Sequence, residues 1–203
     1  MAASARLEAR DLARVAIFAA IIIVLGIAGQ VPLPFGVPVT LQTLGVMLAG
    51  IVLGARRGAL AVLVVLVLTA VGLPVLAGGR GGLGVFAGPT VGYLVGWLPG
   101  VVVTGLIARA GRARIRWWRA ALGGLVGGVI VVYAFGTLGL VLVAGLSSLD
   151  ALVSNVAFLP GDALKSLLAG VLAAAVWRAY PPAFAFAPTA RAEVRAQAKA
   201  DTV

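Results

Sequence analysis

Long, nearly uncharged apolar runs alternate along the chain with short segments that hold most of the charge. A helix that crosses a bilayer needs about 20 mostly apolar residues. On that scale the pattern predicts six spans, over roughly 13–30, 39–55, 58–74, 89–109, 119–146 and 151–179. The first is short. The fifth is long enough to tilt or to contain an interfacial turn. The last is interrupted at Pro160-Gly161, so its first part is expected to be a loop or half-helix. Broken backbone at that depth is tolerated where it lines a cavity or is buried in protein. The expected fold class is therefore an all-α integral membrane protein. Residues 1–180 form one six-helix transmembrane domain, and residues 181–203, rich in Ala, Arg and Pro, form a solvated tail.

Composition supports this reading. The 203 residues are 62% hydrophobic and 11% charged, whereas soluble domains carry roughly 25% charged residues. Cysteine and histidine are absent, which removes disulfides, thiolate chemistry, the usual zinc sites and the commonest general base. The six acidic residues are scattered, so no carboxylate cluster is available for a metal. No cofactor is called for, and an enzyme is the disfavoured class. GxxxxGK[ST] is absent as well, so any ATP-driven step requires partner ATPases.

A net charge of +10 can indicate nucleic acid, but the bases sit at the ends of apolar runs without interleaved polar surface. That is an orientation signal in a membrane protein. With the N-terminus in the cytoplasm, the inner side receives Arg6, Arg10, Arg14, Arg56, Arg57, Arg109, Arg112, Arg114, Arg116, Arg119, Arg178, Arg191, Arg195 and Lys199. These are 14 of the 16 bases, and the exceptions are Arg80 and Lys165. An odd number of spans would break this agreement. Both termini are thus expected in the cytoplasm of a plasma-membrane protein, with lipid as surroundings and no nucleic-acid partner. Trp117, Trp118 and Trp177 fit an inner interfacial belt. The N-terminal run followed by Ala28-Gly29-Gln30 also looks like a secretory leader, but the charge count needs the first span, so it is expected to be retained.

Two outer loops are rich in Gly and Pro. Gln30–Val39 (QVPLPFGVPV) is stiffened by three prolines and leads to Thr40, Gln42 and Thr43 at the head of the second span. Leu73–Pro89 (LPVLAGGRGGLGVFAGP) has glycines that permit close backbone approach, with Arg80 as its only charge and Phe86 near its end. Tyr93 lies just inside the next helix. On the same outer side, NVAFLPGDALK (Asn155–Lys165) places Asp162 and Lys165 three residues apart on one helical face. Charge at membrane depth marks a functional-site hypothesis by default. A few polar groups converging within apolar walls make a small-ligand pocket. The alternatives are plainer: Asp162 as a helix cap, Lys165 snorkelling to the interface, Arg80 as a solvated loop residue, Gln42 and Thr43 as interhelical hydrogen bonds, and Phe86 as a loop anchor.

Four blocks, in order, resemble the BioY family: VPVTLQTLGVMLAGIVLGARRGALAV (Val37–Val62), GLPVLAGGRGG (Gly72–Gly82), GPTVGY (Gly88–Tyr93) and FLPGDALKSLLAG (Phe158–Gly170). Members of that family are the biotin-specific S components of energy-coupling factor (ECF) transporters. The resemblance implies a six-helix bundle with an outward-facing biotin pocket closed by outer loops. It implies that Asp162 and Lys165 meet the ligand's head group, and that Arg80 meets its carboxylate. It further implies that Ala16 and Ala20 form the small-residue row that docks the ECF coupling subunit, with ATPase subunits completing the complex. Val65, Thr69 and Leu76 depart from the family's common tyrosine, glycine and phenylalanine at those positions. An S component for a different vitamin is the alternative within the same class. The sequence leaves open whether the protein transports alone, as a homodimer or only within the complex.

Overall fold

The computed structural model describes residues 8–28, 30–31, 37, 39–110 and 114–184. They form helices α1 (Ala9–Ile27), α2 (Gln42–Ala70), α3 (Val91–Arg109), α4 (Trp117–Gly123), α5 (Val132–Ala144), α6 (Ser148–Ser154) and α7 (Leu159–Ala179). A π-helical stretch, Gly124–Val131, joins α4 to α5 without a break. Between α1 and α2 a two-stranded antiparallel ribbon, β1 (Gln30–Val31) and β2 (Val39–Thr40), pairs Gln30 with Thr40 and Val31 with Val39. Four helical stretches are long and apolar enough to cross a membrane: Gln42–Ala70, Val91–Arg109, Trp117–Ala144 and Leu159–Ala179. Helix α1 has 19 residues, with Arg10, Asp11 and Arg14 gathered at its start.

Helix α2 is bent back on itself at Gly54, whose φ of 79° and ψ of 176° lie outside the helical range. A Cβ on Gly58 would lie 3.0 Å from the Ala49 carbonyl oxygen. Residues nine apart in a straight helix are separated by about 13 Å, so the two limbs run side by side. Gly54 alone forms the bend between them. The last span differs from expectation. Pro160 falls in the first turn of α7, where a missing N–H costs nothing. The break comes earlier, in the 3₁₀ turn Asn155–Ala157 after α6.

Helix α3 lies against both limbs of α2 on one side and the α4–α5 rod on the other. Close approach to the rod is possible because α3 carries glycine every fourth residue. A Cβ on Gly92 would lie 2.2 Å from the Phe135 oxygen, and one on Gly100 would lie 2.7 Å from the Gly127 oxygen. Small residues at this spacing allow packing where lipid supplies no hydrophobic drive between helices. Helix α7 closes the bundle against α4 and α2. The core contains Met47, Ile51, Leu53, Val101, Val132 and Leu140.

At the end of the bundle where α1 begins, Asp11 is buried and accepts from Arg57 Nη2 at 2.8 Å, with Arg14 at 3.7 Å. Arg14 donates to the Pro182 carbonyl at 2.5 Å. One carboxylate thus ties α1 to the bend of α2, and its neighbour holds the segment after α7. Pro181–Ala183 form a 3₁₀ turn, and Phe184 is buried edge-on against Trp177, with ring centroids 4.9 Å apart. The expected tail beyond residue 184 falls outside the described residues.

The bend gives the first testable consequence. Any side chain at Gly54 meets both a backbone conformation that L-residues avoid and the Arg109 guanidinium, whose Nη1 would be 2.4 Å from a new Cβ. Gly54→Ala is expected to cost about 1–3 kcal/mol and lower the thermal midpoint in detergent. Gly84→Ala, with nothing within 4 Å of its Cβ position, should leave the midpoint nearly unchanged. Equal midpoints for the two variants would show that the bend does not depend on Gly54.

Candidate functional site

Six parts of the chain enclose one cavity. The ribbon side contributes Val37, Val39 and Thr40, the head of α2 Gln42 and Thr43, and the following loop Leu76 and Arg80. Helix α3 adds Thr90, Tyr93, Leu94 and Trp97. The α4–α5 rod adds Val132 and Tyr133, and the start of α7 adds Phe158, Asp162 and Lys165. The walls are mainly apolar and aromatic, with a few charged or hydroxyl groups, the make-up of a small-molecule pocket.

Asp162 and Lys165 are both buried and form an ion pair of 2.7 Å. Three-residue spacing on α7 brings them together, and the bundle then surrounds them. Asp162 Oδ1 also accepts from Thr43 Oγ1 at 3.2 Å, and Oδ2 accepts from the Tyr133 hydroxyl at 2.8 Å. Lys165 Nζ donates to Asp162, to the Thr40 carbonyl at 2.5 Å and to Thr43 Oγ1 at 3.3 Å. The Asp162 side chain bonds to Thr43, Tyr133 and Lys165, and Lys165 turns inward to its partner. Charge-assisted bonds of this kind are about twice as strong as neutral ones. They hold two charges in fixed positions at a cavity wall.

The loop over the cavity is fastened by side chain and backbone. Gln42 is buried; its Nε2 donates to the Val75 carbonyl at 3.0 Å, and its Oε1 accepts from the Ala77 N–H at 3.1 Å. The Gly82 N–H donates to the Thr69 carbonyl at 2.7 Å. A tight turn between Leu76 and Arg80 uses Gly78 and Gly79 in left-handed conformations (φ 75° and 68°), which glycine adopts without a Cβ penalty. Arg80 Nε donates to the Ala77 carbonyl at 3.2 Å, so the loop itself aims the guanidinium. Partial burial pulls the Arg80 pKa below its ordinary value by desolvating the charged form.

Tyr93, Tyr133 and Phe158 form an edge-to-face cluster with centroid separations of 6.0–6.5 Å, the geometry favoured by ring quadrupoles. The Tyr93 hydroxyl donates to Asn155 Oδ1 at 2.8 Å, and Asn155 Nδ2 donates to Thr137 Oγ1 at 2.8 Å. Asn155 thereby fixes one wall from behind while anchoring the turn that precedes α7.

Of the residues proposed from sequence, the cavity gathers Asp162, Lys165, Arg80, Gln42, Thr43 and Tyr93. Phe86 is not at the cavity. It packs against the buried cluster containing Val75, Leu94 and Trp97. Ala16 and Ala20 lie on an exposed face of α1 together with Leu12, Ile17 and Val24. Sequence reasoning did not find Tyr133, Trp97 or the Thr40 carbonyl. Tyr133 was detectable as a lone hydroxyl within an apolar run, whereas a backbone acceptor leaves no sequence signal. Of the three positions that depart from the family's common residues, Leu76 lines the cavity. Val65 is buried in the core, and Thr69 turns its hydroxyl to the Val65 carbonyl at 2.8 Å. Among the described residues no three His, Cys, Asp or Glu side chains are grouped to hold a metal.

Comparison with known proteins places this arrangement in a family. The BioY family matches residues 1–182. The chain is 50% identical over 181 residues to a protein of Rhizobium etli named biotin transporter BioY, covering 86% of this chain and 97% of that one. It is 51% identical over 183 residues to the biotin transporter BioY of Rhodobacter capsulatus, covering 86% and 96%. In three dimensions it is similar to the crystal structure of the S-component for biotin from an ECF-type ABC transporter, with a TM-score of 0.78, 35% identity, and coverage of 83% of this chain and 91% of that one. The chain belongs to the BioY family.

Proposed function

We propose that this protein is the substrate-binding membrane subunit that captures biotin from outside the cell for ATP-driven uptake by an ECF-type transporter. It binds and hands over its ligand without chemical change. The observation that carries the reading is the buried Asp162–Lys165 pair at the wall of a mainly apolar cavity. A ureido group offers two N–H donors and one carbonyl acceptor. Asp162 accepts from the N–H groups, and Lys165 donates to the oxygen. Before the ligand arrives, Thr43, Tyr133 and the Thr40 carbonyl hold both groups in place, which limits the ordering cost of binding. The aromatic cluster and Trp97 flank the apolar body of the ligand. Arg80, on the overlying loop, pairs with the carboxylate at the far end.

Six crossings fit the same reading: α1, the two limbs of α2, α3, the α4–α5 rod and α7. The positive-inside pattern supports cytoplasmic termini and a cavity open to the outside. The exposed face around Ala16 and Ala20 is then the surface that meets the coupling subunit.

Identification of the ligand tests the function. Mass spectrometry of the protein purified from biotin-containing medium should detect co-eluting biotin, and a different vitamin in its place would overturn the assignment. In calorimetry, Asp162→Asn and Lys165→Ala should each weaken biotin by about 100-fold, as expected for losing a charged hydrogen-bond partner, while the protein stays folded. Unchanged affinity in both variants would remove the pair from the binding site.

Arg80→Ala should weaken biotin about tenfold or more and leave an analogue without the carboxylate nearly unaffected. Equal losses for the two ligands would take Arg80 out of the carboxylate role.

Enlarging the α1 face should separate binding from assembly. The variant carrying Ala16→Trp and Ala20→Trp is expected to bind biotin normally in isolation but not to co-purify with the coupling subunit. Close helix approach needs small side chains, and neither residue touches the cavity. An intact complex containing both tryptophans would place the docking surface elsewhere.

A further inference from the structure

A second cavity lies at the opposite end of α7, where nothing in the proposed binding cycle uses it. Its walls come from Arg114, Arg116, Trp117 and Trp118 at the entrance to α4, and from Trp177 and Arg178 in the last turn of α7. Sixteen residues separate Asp162 from Arg178, about 24 Å along the helix, so the two cavities sit at opposite ends of the bundle. Arg114, Arg116 and Arg178 are exposed. The ion pairs among the described residues involve only Asp11 and Asp162 as acids, so no carboxylate of the described residues pairs with these three guanidinium groups. Trp117 and Trp118 are 49% and 46% exposed, half in and half out, as side chains of a membrane–water interface are.

Three bases converging on one concavity at the interfacial tryptophan level constitute an anion site addressed to the membrane surface. Guanidinium forks match phosphate oxygens bidentately. Indole rings bury their apolar bodies beside the upper acyl chains and keep their N–H groups toward the headgroups. Basic pockets between helices on the inner side hold anionic lipid headgroups in this way. We propose that this cavity binds the phosphate group of an anionic membrane phospholipid. The lipid would bridge the α4 entrance and the end of α7, two helices that pack closely where Gly170 lies beneath the Trp117 carbonyl.

The test uses the full-length protein in detergent with cardiolipin added, read by native mass spectrometry. The double variant R116Q/R178Q removes two of the three bases. The double variant R10Q/R56Q removes the same charge at exposed positions that do not line this cavity. At about 1 kcal/mol per base near an anionic surface, two bases correspond to roughly 25-fold in affinity. Cardiolipin retention should therefore fall about 25-fold in R116Q/R178Q and by less than about threefold in R10Q/R56Q, with biotin binding unchanged in both. Equal losses in the two doubles would overturn the site and leave only a diffuse field. Inorganic phosphate should displace little cardiolipin; complete displacement by inorganic phosphate would overturn the lipid assignment and leave a site for soluble phosphate. Equal retention of phosphatidylcholine would overturn the requirement for net negative charge.

Discussion

A carboxylate and an ammonium 2.7 Å apart, both buried among apolar helices, impose conditions on everything around them. Removing one partner of such a pair typically costs about 3–5 kcal/mol, because the other is left charged and unpaired. The remaining lone pairs and protons must also be met. That requirement accounts for Thr43 at the head of α2, for Tyr133 in the middle of the α4–α5 rod, and for a Thr40 carbonyl turned inward by the ribbon. Two segments far apart in sequence, the ribbon with the head of α2 and the α4–α5 rod, are fixed relative to α7 by one neutral cluster. The pocket is what remains open beside it.

Much of this was legible in the sequence because lipid makes the code simple. Apolar length marked the four long helical stretches of the bundle. The spacing of Asp162 and Lys165 placed both on one helical face. The less legible parts were decided by backbone geometry. Whether Arg56-Arg57 lay in a loop or in a continuous helix depended on one glycine, Gly54, whose unusual φ and ψ fold α2 into two limbs. Pro160 read as an interruption, but in the first turn of α7 its missing N–H was already without a partner there. The segment after residue 180 looked polar and unstructured, yet Phe184 found a buried place against Trp177. Two phenylalanines, Phe184 and Phe186, in a basic, alanine-rich tail carry too little periodicity to announce that contact.

The roles of Gln42 and Arg80 show how a loop can be prepared for a ligand. Gln42 spends its whole amide on Val75 and Ala77, and so holds the loop down. Arg80 donates through Nε to the carbonyl of Ala77, which sets the direction of its guanidinium at the cavity wall. A glutamine read from sequence as a polar group near the mouth thus acts through the loop it positions. Behind Tyr93, Asn155 does the same for the aromatic wall. In both cases side chains bonded to other parts of the protein hold the lining of the cavity in place.

If the Asp162–Lys165 pair reads the head group of biotin, a structure of the protein with biotin bound will show ureido N–H groups at about 2.7–3.2 Å from the Asp162 carboxylate and the ureido oxygen at a similar distance from Lys165 Nζ, with the carboxylate end toward Arg80. A ureido ring bound away from both residues, with the ion pair and its Thr43 and Tyr133 bonds undisturbed, would contradict it.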